Sequence, residues 1–439
     1  MNYFIILIIF LITNCSFDKK SGIWEDENNI TKENEKLFKD FKIITQDSNS
    51  FDQTVPLKKK FHFFINKPIK NSFWLDSFYS NQNKFINFRY DDNKKVLLKG
   101  KKISRYKLNK EIFFINGLSI LSDEKGNVII FSNYENEIVD KFNFYKNKYK
   151  RIKKKLNLIV EKNTIYISDN LGFLYAYDFT KRSIIWAKNY KIPFKSNLKI
   201  LNNSLVVANQ NNNIFFIDKN NGEQIKTFPT EETLFKNDFI NNLATDGKNV
   251  FFLNSYGSLY AINDKKLLIW FRNFNKSFDV NPSNLFNGQE IIIHQNKIII
   301  STNKDLYVVN ALNGSTIFKK NINTSINPIV ISKYIFLISK NNYLISINIE
   351  NGEIIYSQNL NDIDFTLLNI SKKELKPKKF MLINNQLFIF FDNSYFLKFD
   401  IYGELIGTSK LPSKNTTNTI LVDGAFIYAD KKNKIFIFN

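Results

Sequence analysis

The sequence predicts an all-β fold: a closed eight-bladed β-propeller of four-stranded blades, the last of which is closed by an N-terminal strand. Three observations carry that expectation. A short apolar strand ending at Asn or Asp recurs eight times, the copies are spaced by about one blade length of chain, and the last copy ends at Asn439, one strand short of a finished blade.

The recurring strand begins at GNVIIFSN (Gly126 to Asn133), GFLYAYD (Gly172 to Asp178) and NIFFID (Asn213 to Asp218), and continues in copies ending at Asn263, Asn310, Asn348, Asp400 and Asn439. Successive end points lie 45, 40, 45, 47, 38, 52 and 39 residues apart, the length of a blade of four short strands. Ahead of these copies lie partner strands at Thr164 to Ser168, Ser204 to Ala208, Val250 to Leu253, Lys297 to Ser301 and Gln386 to Phe390. Asn, Asp, Gly and Lys separate the partners, and such residues tolerate the positive φ of tight hairpins. Asn-Gly turns then lead to a further strand, as in NGEQIKTF from Asn221, NGSTIFKK from Asn313 and NGEIIYSQ from Asn351. The innermost strand of each blade carries the weakest pattern. Apolar residues fall on both faces of the strands, as blades stacked around a ring require. The strand missing from the last blade must come from before the first repeat, and Lys60 to Asn66 (KFHFFIN) is the first candidate, with Ser72 to Phe78 the second.

Composition limits the chemistry. The chain of 439 residues is 44% hydrophobic and 15% aromatic, which excludes global disorder. Its net charge of +21 comes almost entirely from Lys, the Arg residues being Arg89, Arg105, Arg151, Arg182 and Arg272. Readers of nucleic acid lean on the planar Arg fork, so no nucleic-acid partner is expected. A single Cys allows neither a disulfide nor a cysteine zinc site. His62 and His294 lack metal-ligand spacing, so no metal is expected. Phosphate-binding glycine loops and the GxSxG nucleophile motif are absent, and no catalytic residue or cofactor is expected.

The amino terminus reads as an export signal. Tyr3 to Ile12 (YFIILIIFLI) is too short to span a bilayer but fits the apolar region of a secretory signal. The only Cys follows directly, and Ile12-Thr13-Asn14-Cys15 resembles the lipobox of a bacterial lipoprotein, with Asn14 where a small residue is usual and no basic residue ahead of the run. That resemblance implies lipidation of Cys15, residues 1–14 as signal peptide, 15–58 as a polar tether and 59–439 as the propeller; an ordinary signal or a buried strand with a chance Cys is the alternative.

The segments Leu174 to Trp186 and Leu259 to Trp270 resemble the pyrroloquinoline-quinone (PQQ) type propeller repeat, with Phe228, Phe318 or Tyr356 replacing the Trp elsewhere. A lipoprotein signal followed by eight such blades is similar to the BamB family of outer-membrane assembly lipoproteins. The resemblance implies a non-catalytic scaffold, lipid-anchored on the periplasmic face of the outer membrane. Its partners would be the barrel-insertion subunit of the assembly machinery and unfolded outer-membrane protein precursors. In that family the subunit contact involves a loop between blades in the first half of the ring, here Thr230 to Phe239, so Leu234, Phe235, Lys236 and Asp238 would be the contact residues, unless the loop is simply solvated. Precursors could add as strands to a blade edge. A PQQ-dependent dehydrogenase shares the repeat, but its resemblance would require a vicinal disulfide that one Cys cannot form. Another envelope partner remains a further alternative. Lys146 to Lys155 (KNKYKRIKKK) reads as a solvated basic linker or a contact for anionic lipid.

Overall fold

In the computed structural model, residues 50–232, 240–275, 286, 288–363 and 376–439 are described, all within one compact unit, Asn49–Asn439. They form eight antiparallel blades in chain order. Blade 1 comprises Leu108–Ile115, Leu118–Asp123, Asn127–Ser132 and Glu137–Asn143. Blades 2 and 3 have inner strands Leu156–Glu161 and Lys199–Leu201 and outer strands Ser183–Asn189 and Gln224–Phe228. Blades 4, 5 and 6 begin at Asn242–Thr245, Ile292–His294 and Ile329–Ile331, and blade 7 at Pro377–Ile383. All eight predicted Asn or Asp anchors fall at or just past the end of a blade's third strand.

Blade 8 contains Ile420–Val422, Ala425–Ala429 and Lys434–Phe438, and its outer strand is Val96–Lys102, antiparallel to Lys434–Phe438 with Leu98 opposite Ile437 and Lys99 opposite Phe436. An N-terminal strand closes the ring as expected, but neither candidate segment is that strand. In Lys60 to Asn66, Phe61, Phe63 and Ile65 pack over Tyr334, Phe336 and their neighbours in blades 6 and 7. Ser72 to Phe78 enters the central channel instead. The true closing strand has a mostly exposed pattern, because an outermost strand needs no apolar alternation.

The core lies between blades. One cluster joins Ile159, Tyr166 and Trp186 of blade 2 to Leu205, Val207 and Phe215 of blade 3, and equivalent clusters recur around the ring. Each fully buried aliphatic or aromatic side chain of this kind contributes about 1.5–3 kcal/mol.

The Trp of the repeat has a defined seat. Trp186 in the outer strand of blade 2 packs on Gly222 in the Asn-Gly turn of blade 3 and donates its indole N–H to the Lys219 carbonyl at 2.9 Å. Trp270 of blade 4 repeats this on Gly314, donating to the Ala311 carbonyl at 2.9 Å, and Phe318 and Tyr356 sit likewise on Gly352 and Gly403. A bulge interrupts each of these outer strands just before the seated ring, between Ile184 and Trp186 in blade 2, and re-aims the side chain toward the next blade. In blade 3 the replacement is Lys226, not Phe228. Lys226 pairs with Phe216 as Trp186 pairs with Ala176, and its ammonium donates to the Lys266 carbonyl of blade 4 at 2.8 Å, whereas Phe228 lies two positions on, opposite Ile214.

Strand order gives the ring two faces. One carries the first-to-second and third-to-fourth turns and is termed the hairpin face. The other carries the fourth-to-first links and is termed the connection face. Among the described residues no helix is long and apolar enough to cross a membrane.

Candidate partner-binding face and axial cavity

The chain ahead of the closing strand seals the channel at the hairpin face. Val55 bridges antiparallel to Ser357 on the outer edge of blade 6, and Asn87–Phe88 lies parallel to the inner strand of blade 7. Between them the backbone hydrogen-bonds to one inner strand after another. Trp74 exchanges bonds with Phe114 of blade 1, the Leu75 carbonyl accepts from the Val160 N–H of blade 2, and the Asn81 and Gln82 carbonyls accept from Thr245 and Ile293 of blades 4 and 5. Asn83 donates to the Leu243 and Ile291 carbonyls at 3.0 and 2.9 Å, and Asn71 donates to the Leu421 carbonyl of blade 8 at 3.2 Å. Blade 3 holds the plug by charge, since the fully buried Lys199 ammonium donates to Asp76 Oδ2 at 2.6 Å and to the Ser80 carbonyl at 2.9 Å. Burial pushes the Lys199 ammonium down, and Asp76 opposes the shift. These bonds are invisible to periodicity, because irregular backbone and isolated Asn side chains make them.

On the connection side the plug forms the floor of an axial cavity of about 410 Å³, with Phe78 and Phe85 at its base and side chains from all eight blades in its wall. Glu111 accepts from Asn418 Nδ2 at 3.1 Å, and burial pushes its carboxyl up to about 7 against the pull of Lys379. Lys379 donates to the Thr419 carbonyl at 2.7 Å and lies over the Trp74 ring, and burial pushes its ammonium down to about 8 against the pull of Glu111. Burial also raises the Glu290 carboxyl.

Also on the connection face, the link from blade 3 to blade 4 is held at both ends. Thr230 donates its hydroxyl to the Asn212 carbonyl at 2.7 Å, and Asn212 returns a bond to the Glu231 carbonyl at 3.0 Å. The Glu231 carboxylate accepts from Asn254 at 2.9 Å and Ser258 at 3.0 Å in blade 4, and Glu232 accepts from Asn213 at 2.9 Å in blade 3. Burial, with Glu231 beside it, pushes the Tyr260 hydroxyl up to about 12. At the far end the Asn241 backbone N–H donates to the Lys195 carbonyl and its side chain to the Asn209 carbonyl at 3.0 Å. Two clamped ends therefore bracket residues 233–239. Leu234, Phe235, Lys236 and Asp238 lie outside the described residues, as does Cys15.

The remaining candidates separate. His294 is buried, with Nε2 at 2.7 Å from the Ser332 carbonyl, while His62 is exposed. Among the described residues no group of three or more His, Cys, Asp or Glu could hold a metal ion. In the basic run Lys154 is buried over the Tyr145 ring and Lys153 pairs with Glu124 at 3.5 Å, so part of that charge serves packing between blades 1 and 2.

A sequence profile described as outer membrane protein assembly factor BamB matches residues 124–358, more than half of the chain. The chain belongs to the BamB family. The matched span runs from the third strand of blade 1 to the outer strand of blade 6. No curated protein sequence matches the chain. Among solved structures, BamB from Moraxella catarrhalis superposes with a TM-score of 0.61 at 13% identity, over 78% of this chain and 100% of that one. Quinohemoprotein alcohol dehydrogenase from Comamonas testosteroni superposes with a TM-score of 0.60 at 10% identity, over 84% and 81%. The computationally designed Ika8 protein gives 0.57 at 9%, over 78% and 99%. At these identities the likeness establishes the propeller fold, shared by the BamB family, by quinone enzymes and by a designed ring alike.

Proposed function

We propose that this BamB-family chain is a non-catalytic scaffold of the outer-membrane barrel-assembly machinery, lipid-anchored through Cys15 on the periplasmic face. It binds the barrel-insertion subunit through the link between blades 3 and 4. The observation that carries the reading is the doubly clamped stem of that link, in a chain whose family profile spans the same blades. The clamped stems fix where the segment leaves and rejoins the connection face, and its sequence, the apolar pair Leu234 and Phe235 followed by Lys236 and Asp238, suits a small interface anchor. The single Cys argues against a quinone enzyme, whose vicinal disulfide needs two. The exposed outer strands supply edges on which unfolded precursors add by main-chain hydrogen bonds.

Pull-down from solubilised envelopes tests the subunit contact. The wild type should retain the barrel-insertion subunit, and Leu234→Ala combined with Phe235→Ala should release it while far-ultraviolet circular dichroism stays unchanged. Retention by the double variant overturns the assignment of this link. Cys15→Ala should move the chain from the membrane to the soluble periplasmic fraction, and continued membrane retention would refute the lipid anchor.

A further inference from the structure

The axial cavity has no part in the scaffold reading, yet its wall is chemically divided. Glu290 enters it from blade 5, Lys110 from blade 1 halfway round the ring, and Lys378 from blade 7. Among the described residues no basic side chain pairs with Glu290, whose surroundings supply only amide contacts, including Asn327. Glu111 already has its partners in Asn418 and Lys379, so the carboxylate left to meet a cation is Glu290. Between the charged sides stand the amides of Asn157, Asn242 and Gln289, and the floor is aromatic.

We propose that the axial cavity binds a short zwitterionic peptide, its terminal ammonium on Glu290, its terminal carboxylate on Lys378 and Lys110, and its peptide groups against the wall amides. Size agrees with chemistry. A cavity of about 410 Å³ is roughly 9 Å across when taken as a sphere, and three extended residues span at most about 10 Å. The volume lies in the range of small-molecule sites, which pair an apolar surface with a few fixed polar groups. Glu290 is half-buried in the cavity wall, where a carboxylate without a cation is less well solvated than in bulk water, so a ligand ammonium gains by pairing with it. Among the described residues the plug blocks the hairpin end, which leaves the connection face as the way in. A polyanionic ligand is disfavoured, because Glu290 and Glu111 would both oppose it.

Isothermal titration calorimetry of triglycine into the purified full-length chain tests the site. Triglycine should bind saturably, while N-acetyl-triglycine and triglycine amide should each bind at least tenfold more weakly. Glu290→Gln should abolish the preference for the free amine, and Lys378→Gln the preference for the free carboxylate. The comparison among the three peptides uses the wild type alone, so it stands even if a variant fails to fold. Absence of saturable binding, equal affinity for the acetylated peptide, or an unchanged preference in a folded Glu290→Gln variant would each overturn the proposal.

Discussion

Replacing Gly222 by Ala tests how neighbouring blades are locked together. Gly222 sits at φ 72°, where an L side chain costs about 1–2 kcal/mol. A Cβ there would lie 2.4 Å from Cε3 and 2.5 Å from Cδ2 of Trp186, an overlap the buried indole cannot relieve without leaving its bond to Lys219. Overpacking of this kind adds about 1–3 kcal/mol, so Gly222→Ala should cost about 2–5 kcal/mol in all. Trp186→Ala should cost about 3–5 kcal/mol, from lost packing and a lost hydrogen bond. With the indole gone the added methyl meets no ring, and Gly222→Ala should then cost only the backbone strain of about 1–2 kcal/mol. The double variant should therefore be more stable than the sum of the singles predicts by about 1–3 kcal/mol, measured by urea denaturation followed by circular dichroism. Additivity within about 0.5 kcal/mol would refute a direct seat of the ring on the glycine.

Two further outcomes follow from the channel. Asp76→Ala leaves the Lys199 ammonium buried without its partner and should destabilise the protein by about 3–5 kcal/mol, with Lys199→Met in the same chain recovering part of the loss; an unchanged melting temperature in Asp76→Ala would contradict the role of this pair in holding the plug. Glu111 binds its proton more tightly folded, near 7, than at its ordinary 4.5, so the native state carries the extra proton in that interval and this group's contribution to stability falls as pH rises from about 4.5 to 7. Glu111→Gln should flatten that fall in melting temperature, and an identical pH profile in both proteins would rule out Glu111 as its source.

Most of each blade is written locally, and the ring's closure is not. The second and third strands are apolar on both faces because both pack against blades, so Ser204–Ala208 and Lys297–Ser301 match their sequence patterns residue for residue. The inner strands of blades 3, 5, 6 and 8 are only three residues long, too short for any period to show. Val96–Lys102 is hidden for the opposite reason, since an outermost strand faces water and tolerates Lys at three of its seven positions. KFHFFIN alternates like a strand, but its aromatic side chains find Tyr334 and Tyr402 rather than an edge to pair with. Lys226 escapes notice because it takes over a Trp hydrogen bond with a different chemistry. The axial cavity could not be read at all, because its wall is assembled from one to three residues contributed by each of eight separate blades.

Site-specific photocrosslinking in the native envelope tests the proposed partner contact most directly. A photoreactive residue in place of Phe235, in the link between blades 3 and 4, should crosslink to the barrel-insertion subunit, whereas the same residue in place of Tyr402, exposed on the hairpin face of blade 7, should not. Crosslinking from position 402 and none from position 235 would contradict the account.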